Sequence, residues 1–156
     1  MARATLTIRE ARPDDLPRLL ELLEELRDGA TPGVPWDRAT DDLTSRAWKE
    51  ILADPRRRFL IAEDNGTIVG TADVIVVPNL THAARPVAFI ENVVVTSTRR
   101  GHGIGRELME EVLRRAEAAG CYKVQFLSNK TRTRAHSFYE RLGFEPSSEG
   151  FRRYLS

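Results

Sequence analysis

The sequence predicts an α/β fold built on one mixed sheet of six to seven strands flanked by four helices, and three observations predict it. Strand patterns follow one another early in the chain, two of them joined at Asn65-Gly66, a dipeptide that favours a tight hairpin. Later the patterns alternate between strand and helix, as they do where parallel strands are added. Between these parts the run FIENVVVTSTRRGHGIG, from Phe89 to Gly105, passes from a valine-rich strand through a basic, glycine-rich turn into an amphipathic pattern that continues to Ala119.

The elements follow in order. Residues 5–12 alternate Leu6 and Ile8 with polar neighbours and read as a strand that Pro13 ends. Asp14 and Asp15 supply acid where a helix starts, and Leu16, Leu19, Leu20, Leu23 and Leu26 form its apolar face before Gly29 stops it. Two prolines and a glycine make 31–38 a loop. A second helix over 40–53 presents Leu43, Ala47, Ile51 and Trp48 to the core. Strands over 58–63 and 67–77 form the hairpin, and a loop over 79–85 leads to the central strand, 86–96. The helix after the turn places Ile104, Leu108, Met109, Val112, Leu113 and Ala116 on one face, with Gly120 at its C-terminal cap. A strand over 122–127, a helix over 132–142 stopped by Gly143, and a last strand over 151–155 complete the expectation.

The chain has 156 residues, the size of one domain, and reads as a single unit over 1–156. Its charges are abundant but balanced, with a formal net charge of +1, so the global basic field of a dedicated nucleic-acid binder is missing. One cysteine, Cys121, excludes an intrachain disulfide and a cysteine-based zinc site; no metal is expected. With no signal-peptide core and no run approaching a membrane span, a cytoplasmic protein is the expectation.

The turn at 100–105 carries the first functional signal. Where a strand feeds a helix through glycines, the first helical N–H groups lack partners and the helix dipole adds partial positive charge. Main chain alone can hold a phosphate there. Glycine at 101, 103 and 105 removes side chains that would keep a pyrophosphate away. A Walker loop would need a glycine-lysine-serine or glycine-lysine-threonine ending that the chain does not contain. The dinucleotide fingerprint fails as well, because Arg106 stands where its third glycine belongs.

What does match is R-x-x-G-x-G, spelled Arg100, Gly101, His102, Gly103, Ile104, Gly105. This segment resembles the acyl-CoA-binding motif of the GNAT superfamily of N-acyltransferases. Phe138-Tyr139-Glu140-Arg141-Leu142-Gly143-Phe144 is similar to that superfamily's C-terminal signature. Gly120-Cys121-Tyr122-Lys123 looks like a strand start in glucosamine-6-phosphate acetyltransferases. Ser128-Asn129 with Ala135-His136 and Phe138-Tyr139 is similar to aminoalkylphosphonate acetyltransferases. The resemblance implies a GNAT fold, acetyl-CoA as cosubstrate, and a small-molecule amine acceptor, with no nucleic acid and no membrane as partner; it leaves room for a homodimer. It also implies a cofactor site at Val93, Val94 and Val95, whose backbone would pair with the pantetheine arm, and at Arg100, Gly101, His102, Gly103, Ile104, Gly105 and Arg106.

Acetyl transfer to an amine needs the amine neutral. At pH 7 a lysine-like amine is neutral in fewer than roughly one molecule in a thousand, a handicap of about 4 kcal/mol, so a base is expected near the thioester. Glu91 interrupts an apolar strand just before the turn and is the candidate, the other reading being a solvated glutamate on the strand's polar face. Tyr139 matches the family's thiolate-protonating tyrosine, and otherwise packs a helix on the sheet. A backbone N–H at Asn92, Val93 or Val94 is implied for the acetyl carbonyl. Many members carry asparagine where this chain has Arg132, and Asn129 stands nearby as a substitute. His102, His136 and Cys121 have no placement that favours catalysis. Arg85, Lys130, Arg132 and Arg134 could hold an anion on the acceptor or simply be solvated. The acceptor is expected from the side of the two N-terminal helices and the loops at 31–38 and 79–85. Acetylation of a peptide or protein, and a non-catalytic acyl-CoA-binding regulatory module, are the alternatives.

Overall fold

The pattern of short apolar runs and glycine turns folds as one five-stranded sheet with helices on both faces, in a computed structural model that describes residues 6–27, 33, 36 and 39–155. The strands are β1 (Leu6–Glu10), β2 (Arg57–Asp64), β3 (Thr67–Val77), β4 (Val87–Val95) and β5 (Lys123–Gln125). They lie in chain order; the first three pairings are antiparallel, and β4 with β5 is parallel. The helices are α1 (Leu16–Glu24), α2 (Asp41–Ala53), the one-turn α3 (Thr81–Ala84), α4 (Ile104–Ala118) and α5 (Thr133–Arg141).

Local chemistry explains most of these boundaries. Asn65 and Gly66 both take positive φ, as the two-residue hairpin turn requires. Thr40 caps α2 by accepting the Leu43 N–H through Oγ1, and Asp41 and Asp42 meet the positive end of the helix dipole. Helices α4 and α5 both end at a left-handed glycine, Gly120 and Gly143. Past each, an N–H reaches back five residues: Cys121 to the Ala116 carbonyl and Phe144 to that of Tyr139.

Two apolar layers sandwich the sheet. On one face α4 buries Ile104, Leu108, Met109, Val112 and Ala116 against Leu60, Ala62, Val74 and Ile90, with Tyr139 at the border. On the other, Leu19, Leu22 and Trp48 cover Phe59, Ile61, Ile68 and Val94. Trp48 is fixed by an edge-on contact with Phe59 and by donating Nε1–H to the Pro13 carbonyl at 3.1 Å.

Several expectations need correcting. Among the described residues the sheet has five strands rather than six to seven, and there are five helices rather than four. Residues 151–155 form no strand, because Phe151 and Leu155 are 91% and 88% exposed and so have no face to bury. Strand β5 keeps only three residues, since its partner β4 diverges beyond Phe89. Leu22, not Leu20, faces the core from α1; Leu20 is 38% exposed. In α2 the inward line is Trp48 with half-buried Thr44 and Ile51, while Leu43 is 54% exposed and Ala47 is also exposed. Within 79–85, His82, Ala83 and Ala84 make a left-handed turn where a loop was expected. Thr5, Gly29 and all of 31–38 except Gly33 and Trp36 lie outside the described residues.

Candidate active site

The site follows from two irregularities in β4. The first is a bulge. Thr71 pairs with Val94 and Asp73 with Glu91, so Asn92 and Val93 together oppose the single residue Ala72. Asn92 makes the extra residue possible by taking φ +53, a conformation asparagine accepts more readily than most residues. The second is a split. Strand β5 pairs with β4 only at Val87, Ala88 and Phe89, so residues 90–95 have no strand on that side among the described residues.

Backbone direction along the split can be read from one bond. Thr96 donates its N–H to the Val69 carbonyl on β3 at 2.8 Å, so by the two-residue alternation of a strand Val94 also turns to β3. Val93 and Val95 turn to the open side. The Val95 carbonyl is met there by Arg100 Nε at 3.0 Å. Val94 is buried beneath α1.

At the end of β4 the chain makes the expected turn. Gly101 and Gly103 stand at φ +80 and +82, and a Cβ on either would meet nothing within 4 Å. Their necessity is conformational, and the space beside them is open. Gly105 differs: a Cβ there would lie 3.3 Å from Phe138 Cζ, so its role is to let α4 approach α5 rather than to clear room for a phosphate. Glu107 is the first residue of α4 to donate back, to the Gly103 carbonyl at 3.1 Å. The N–H groups of Ile104, Gly105 and Arg106 precede it and lack intrahelical acceptors. His102 Nδ1 lies 3.0 Å from the Arg100 carbonyl and closes the turn. Arg106 is exposed and pairs loosely with Glu110 at 3.8 Å.

Glu25, which sequence reasoning missed, stitches this turn to α1. Its carboxylate accepts from Thr96 Oγ1 at 2.7 Å, the Ser97 N–H at 2.8 Å and Arg100 Nη2 at 3.2 Å.

Glu91 and Tyr139 stand on opposite faces of the split. Glu91 is exposed and shares a sheet face with Asp73 and Phe59, its neighbours across the strands, which is the face α1 and α2 cover. Tyr139 belongs to the α4 face, held by the rings of Phe126, Phe138 and Phe144. Its hydroxyl makes no hydrogen bond among the described residues. Burial pushes the Tyr139 hydroxyl pKa up, only partly opposed by the charge of Arg132, so it keeps its proton at neutral pH. Past the end of β5, Ser128 Oγ is shielded from solvent and has no hydrogen-bond partner among the described residues.

The remaining candidates are engaged elsewhere. Asn129 Oδ1 accepts from the Thr131 N–H and hydroxyl at the start of α5, and His136 Nε2 lies 3.0 Å from the Asn129 carbonyl. Burial raises the Cys121 thiol pKa, which disfavours the thiolate. Arg85 donates to the Gly120 and Cys121 carbonyls, and His82 stacks on Tyr122 with ring centroids 3.9 Å apart. The loop at 79–85 is thereby fixed where β4 and β5 begin. Six residues of strand, roughly 20 Å, separate Val87 from Val93.

A strand split beside a helix N-terminus, with open glycines at the turn, leaves room for an extended, phosphate-headed ligand between two parallel strands. The orphan amides of α4 and the Ser128 hydroxyl both suit such a ligand. The chain belongs to the GNAT acetyltransferases: the family described as "Acetyltransferase (GNAT) family" matches residues 18–144. It is an acetyl-CoA-dependent N-acetyltransferase.

Among its relatives is a glucosamine 6-phosphate N-acetyltransferase of Trypanosoma brucei brucei, 37% identical over 60% of this chain and 65% of that protein, so the match spans just under two thirds of the relative's length. An aminoalkylphosphonate N-acetyltransferase of Salmonella typhimurium is 32% identical over 67% of each chain. The crystal structure of glucosamine-6-phosphate N-acetyltransferase from Arabidopsis thaliana superposes with a TM-score of 0.81 at 26% identity, over 97% of this chain and 99% of that one. No helix among the described residues is long and apolar enough to cross a membrane.

Proposed function

We propose that this chain, acting as a single catalytic domain, moves an acetyl group from acetyl-CoA to the primary amine of a small, anionic metabolite by direct attack. The observation that carries the reading is the placement of Glu91 and Tyr139 on the two faces of the split in β4. A thioester lying in the split would have a base on one side and an acid on the other. Glu91, directly or through water, takes a proton from the attacking ammonium. The nitrogen forms a bond to the acetyl carbon and gives its second proton to solvent, and the carbon–sulfur bond breaks. Tyr139 gives its hydroxyl proton to the leaving sulfur and recovers one from solvent. The Val93 N–H, on the open side just past the bulge, would donate to the acetyl oxygen.

Val93 and Val95 would pair with the pantetheine arm as one strand pairs with another, Val94 lying between them and turned to β3. The turn from Arg100 to Arg106 would take the pyrophosphate. Asn129 would act through its carbonyl, by orienting His136 and α5. An anionic acceptor is supported by the names of two relatives, which both specify amines bearing phosphate or phosphonate, and by Arg132, which lies close enough to Tyr139 for its charge to be felt there. Lys130 and Arg134 flank it in sequence.

The test is release of CoA thiol from acetyl-CoA with a panel comprising glucosamine 6-phosphate, 2-aminoethylphosphonate, uncharged amino sugars and short peptides. The anionic amines should turn over fastest, and Tyr139→Phe should slow them by about ten- to a thousandfold while acetyl-CoA binding persists. Preference for a peptide would replace the acceptor assignment, and full turnover in Tyr139→Phe would leave the tyrosine a packing residue.

A further inference from the structure

Among the described residues no other ionisable side chain is as completely buried as Asp73, which stands in the middle of β3 with no exposed surface. A carboxylate is costly there unless it is paired and hydrogen-bonded. Arg57 supplies the pair: its Nε lies 2.9 Å from Oδ1 and 3.1 Å from Oδ2, and Nη2 also bonds Oδ2. Hydrogen bonding and charge from Asp73 raise the Arg57 pKa, so the guanidinium stays charged. The other group on the carboxylate is the side-chain amide of Asn92, with Nδ2 3.4 Å from Oδ2.

Asn92 is the residue whose positive φ creates the bulge, and Asp73 is the cross-strand partner of Glu91, immediately before it. One buried carboxylate therefore touches the side chain of the kinked residue and lies opposite the candidate base. Without an anchor, the strand could relax to regular pairing. A one-residue slip of the flank before Asn92 would turn Glu91 to the other face, and a slip of the flank after it would reverse the direction of the Val93 N–H.

We propose that Asp73 is a positioning residue for acetyl transfer: braced by Arg57, it holds the Asn92 amide and so keeps the left-handed kink that aims Glu91 and the Val93 N–H at the split. This rests on the function proposed above. Asp73 touches neither the thioester nor the amine and acts through Asn92 alone.

A glycine at position 92 adopts positive φ without an anchor, which provides the test. Turnover is measured with acetyl-CoA and 2-aminoethylphosphonate or glucosamine 6-phosphate, acetyl-CoA affinity is measured by calorimetric titration, and backbone NMR reports φ at residue 92. Asp73→Ala should lose about ten- to a hundredfold in kcat, the scale of a misplacement near an ångström, with acetyl-CoA affinity little changed. Adding Asn92→Gly should restore most of that loss. A double variant as slow as Asp73→Ala, or NMR showing that Asp73→Ala keeps positive φ at Asn92, would overturn the proposal. Should Asp73→Ala fail to fold, Asp73→Asn, which keeps the shape and one acceptor oxygen, makes the same comparison with and without Asn92→Gly. If the wild-type chain acetylates neither amine, the proposed acceptor class has failed, and the NMR measurement still decides the role of Asp73.

Discussion

Gly103 and Gly105 lie two residues apart in one motif and are needed for different reasons. Gly103 precedes the first turn of α4 at φ +82 with open space beyond it, whereas Gly105 faces Phe138 at close contact, one residue from Tyr139. Gly103→Ala meets no neighbour, so its cost is that of forcing an L-residue into the left-handed region, roughly 1–2 kcal/mol. It should lower the melting temperature and weaken acetyl-CoA binding with little effect on kcat. Gly105→Ala should press on Phe138 and tilt α5, lowering kcat more than affinity. Thermal melts, calorimetry and steady-state rates on both variants check this, and identical effects would mean the two glycines share one role. The sequence could locate both through the motif but could not separate them, because φ and the distance to Phe138 belong to the folded chain. Asp73 and Asn92 left a fainter trace as polar residues inside apolar strand runs, and the bond between them spans nineteen positions.

The elements were read correctly where the chain punctuates itself, as at Asn65-Gly66, Gly120 and Gly143, and less well where a neighbour decides. Strand β5 is short because β4 leaves it, and the pattern of residues 122–127 contains no record of that departure. In α2, Trp48 finds Phe59 and the Pro13 carbonyl, and that contact rotates Leu43 outward against its hydrophobicity. The start of α1 is tied down by charge. Arg9 on β1 bonds Asp15 at 2.7 and 3.0 Å and Glu63 on β2 at 2.7 Å, while the Arg12 N–H donates to Asp15 at 2.7 Å.

The hydrogen bond from Arg9 is the largest of the effects that hold the Asp15 carboxyl below its ordinary pKa of 3.8. A group depressed in the folded state contributes stability that is complete above its unfolded pKa and is lost as pH falls through the folded one. Wild-type melting temperatures should therefore drop more steeply below about pH 4 than those of Asp15→Asn, which is less stable at pH 7 but lacks this titration. Parallel curves for the two proteins down to pH 2 would show that Asp15 adds nothing to the acid limb.

At the scale of the whole molecule, the split between β4 and β5 joins the fold to its chemistry. The sheet carries α4 and its orphan amides on one side and α1 with α2 on the other. In the proposed reading, an extended ligand in the split would meet the turn at 100–106 at one end and have Glu91 and Tyr139 beside its middle. The motif at 100–105 and the signature at 138–144 made the family and its cosubstrate legible, because a glycine-rich turn is local in sequence. The contacts that brace the turn and the bulge come from distant segments with no shared motif: Glu25 meets Thr96, Ser97 and Arg100, and Arg57 braces Asp73 opposite Glu91. They could only be read once those segments were brought together.

If Glu91 deprotonates the amine for direct attack in the split, turnover must depend on pH in a way that its amide variant does not share. Steady-state rates of the wild-type chain and Glu91→Gln are compared from pH 6 to pH 10, with acetyl-CoA and the best amine of the panel. A lysine-like amine becomes substantially neutral only as pH approaches about 10.4, where it no longer needs a base. Glu91→Gln should then fall about a hundredfold or more behind wild type near pH 7 and recover much of that deficit in alkaline buffer. A deficit of the same size at every pH would contradict the account, leaving Glu91 to position the acceptor while the proton departs by another route.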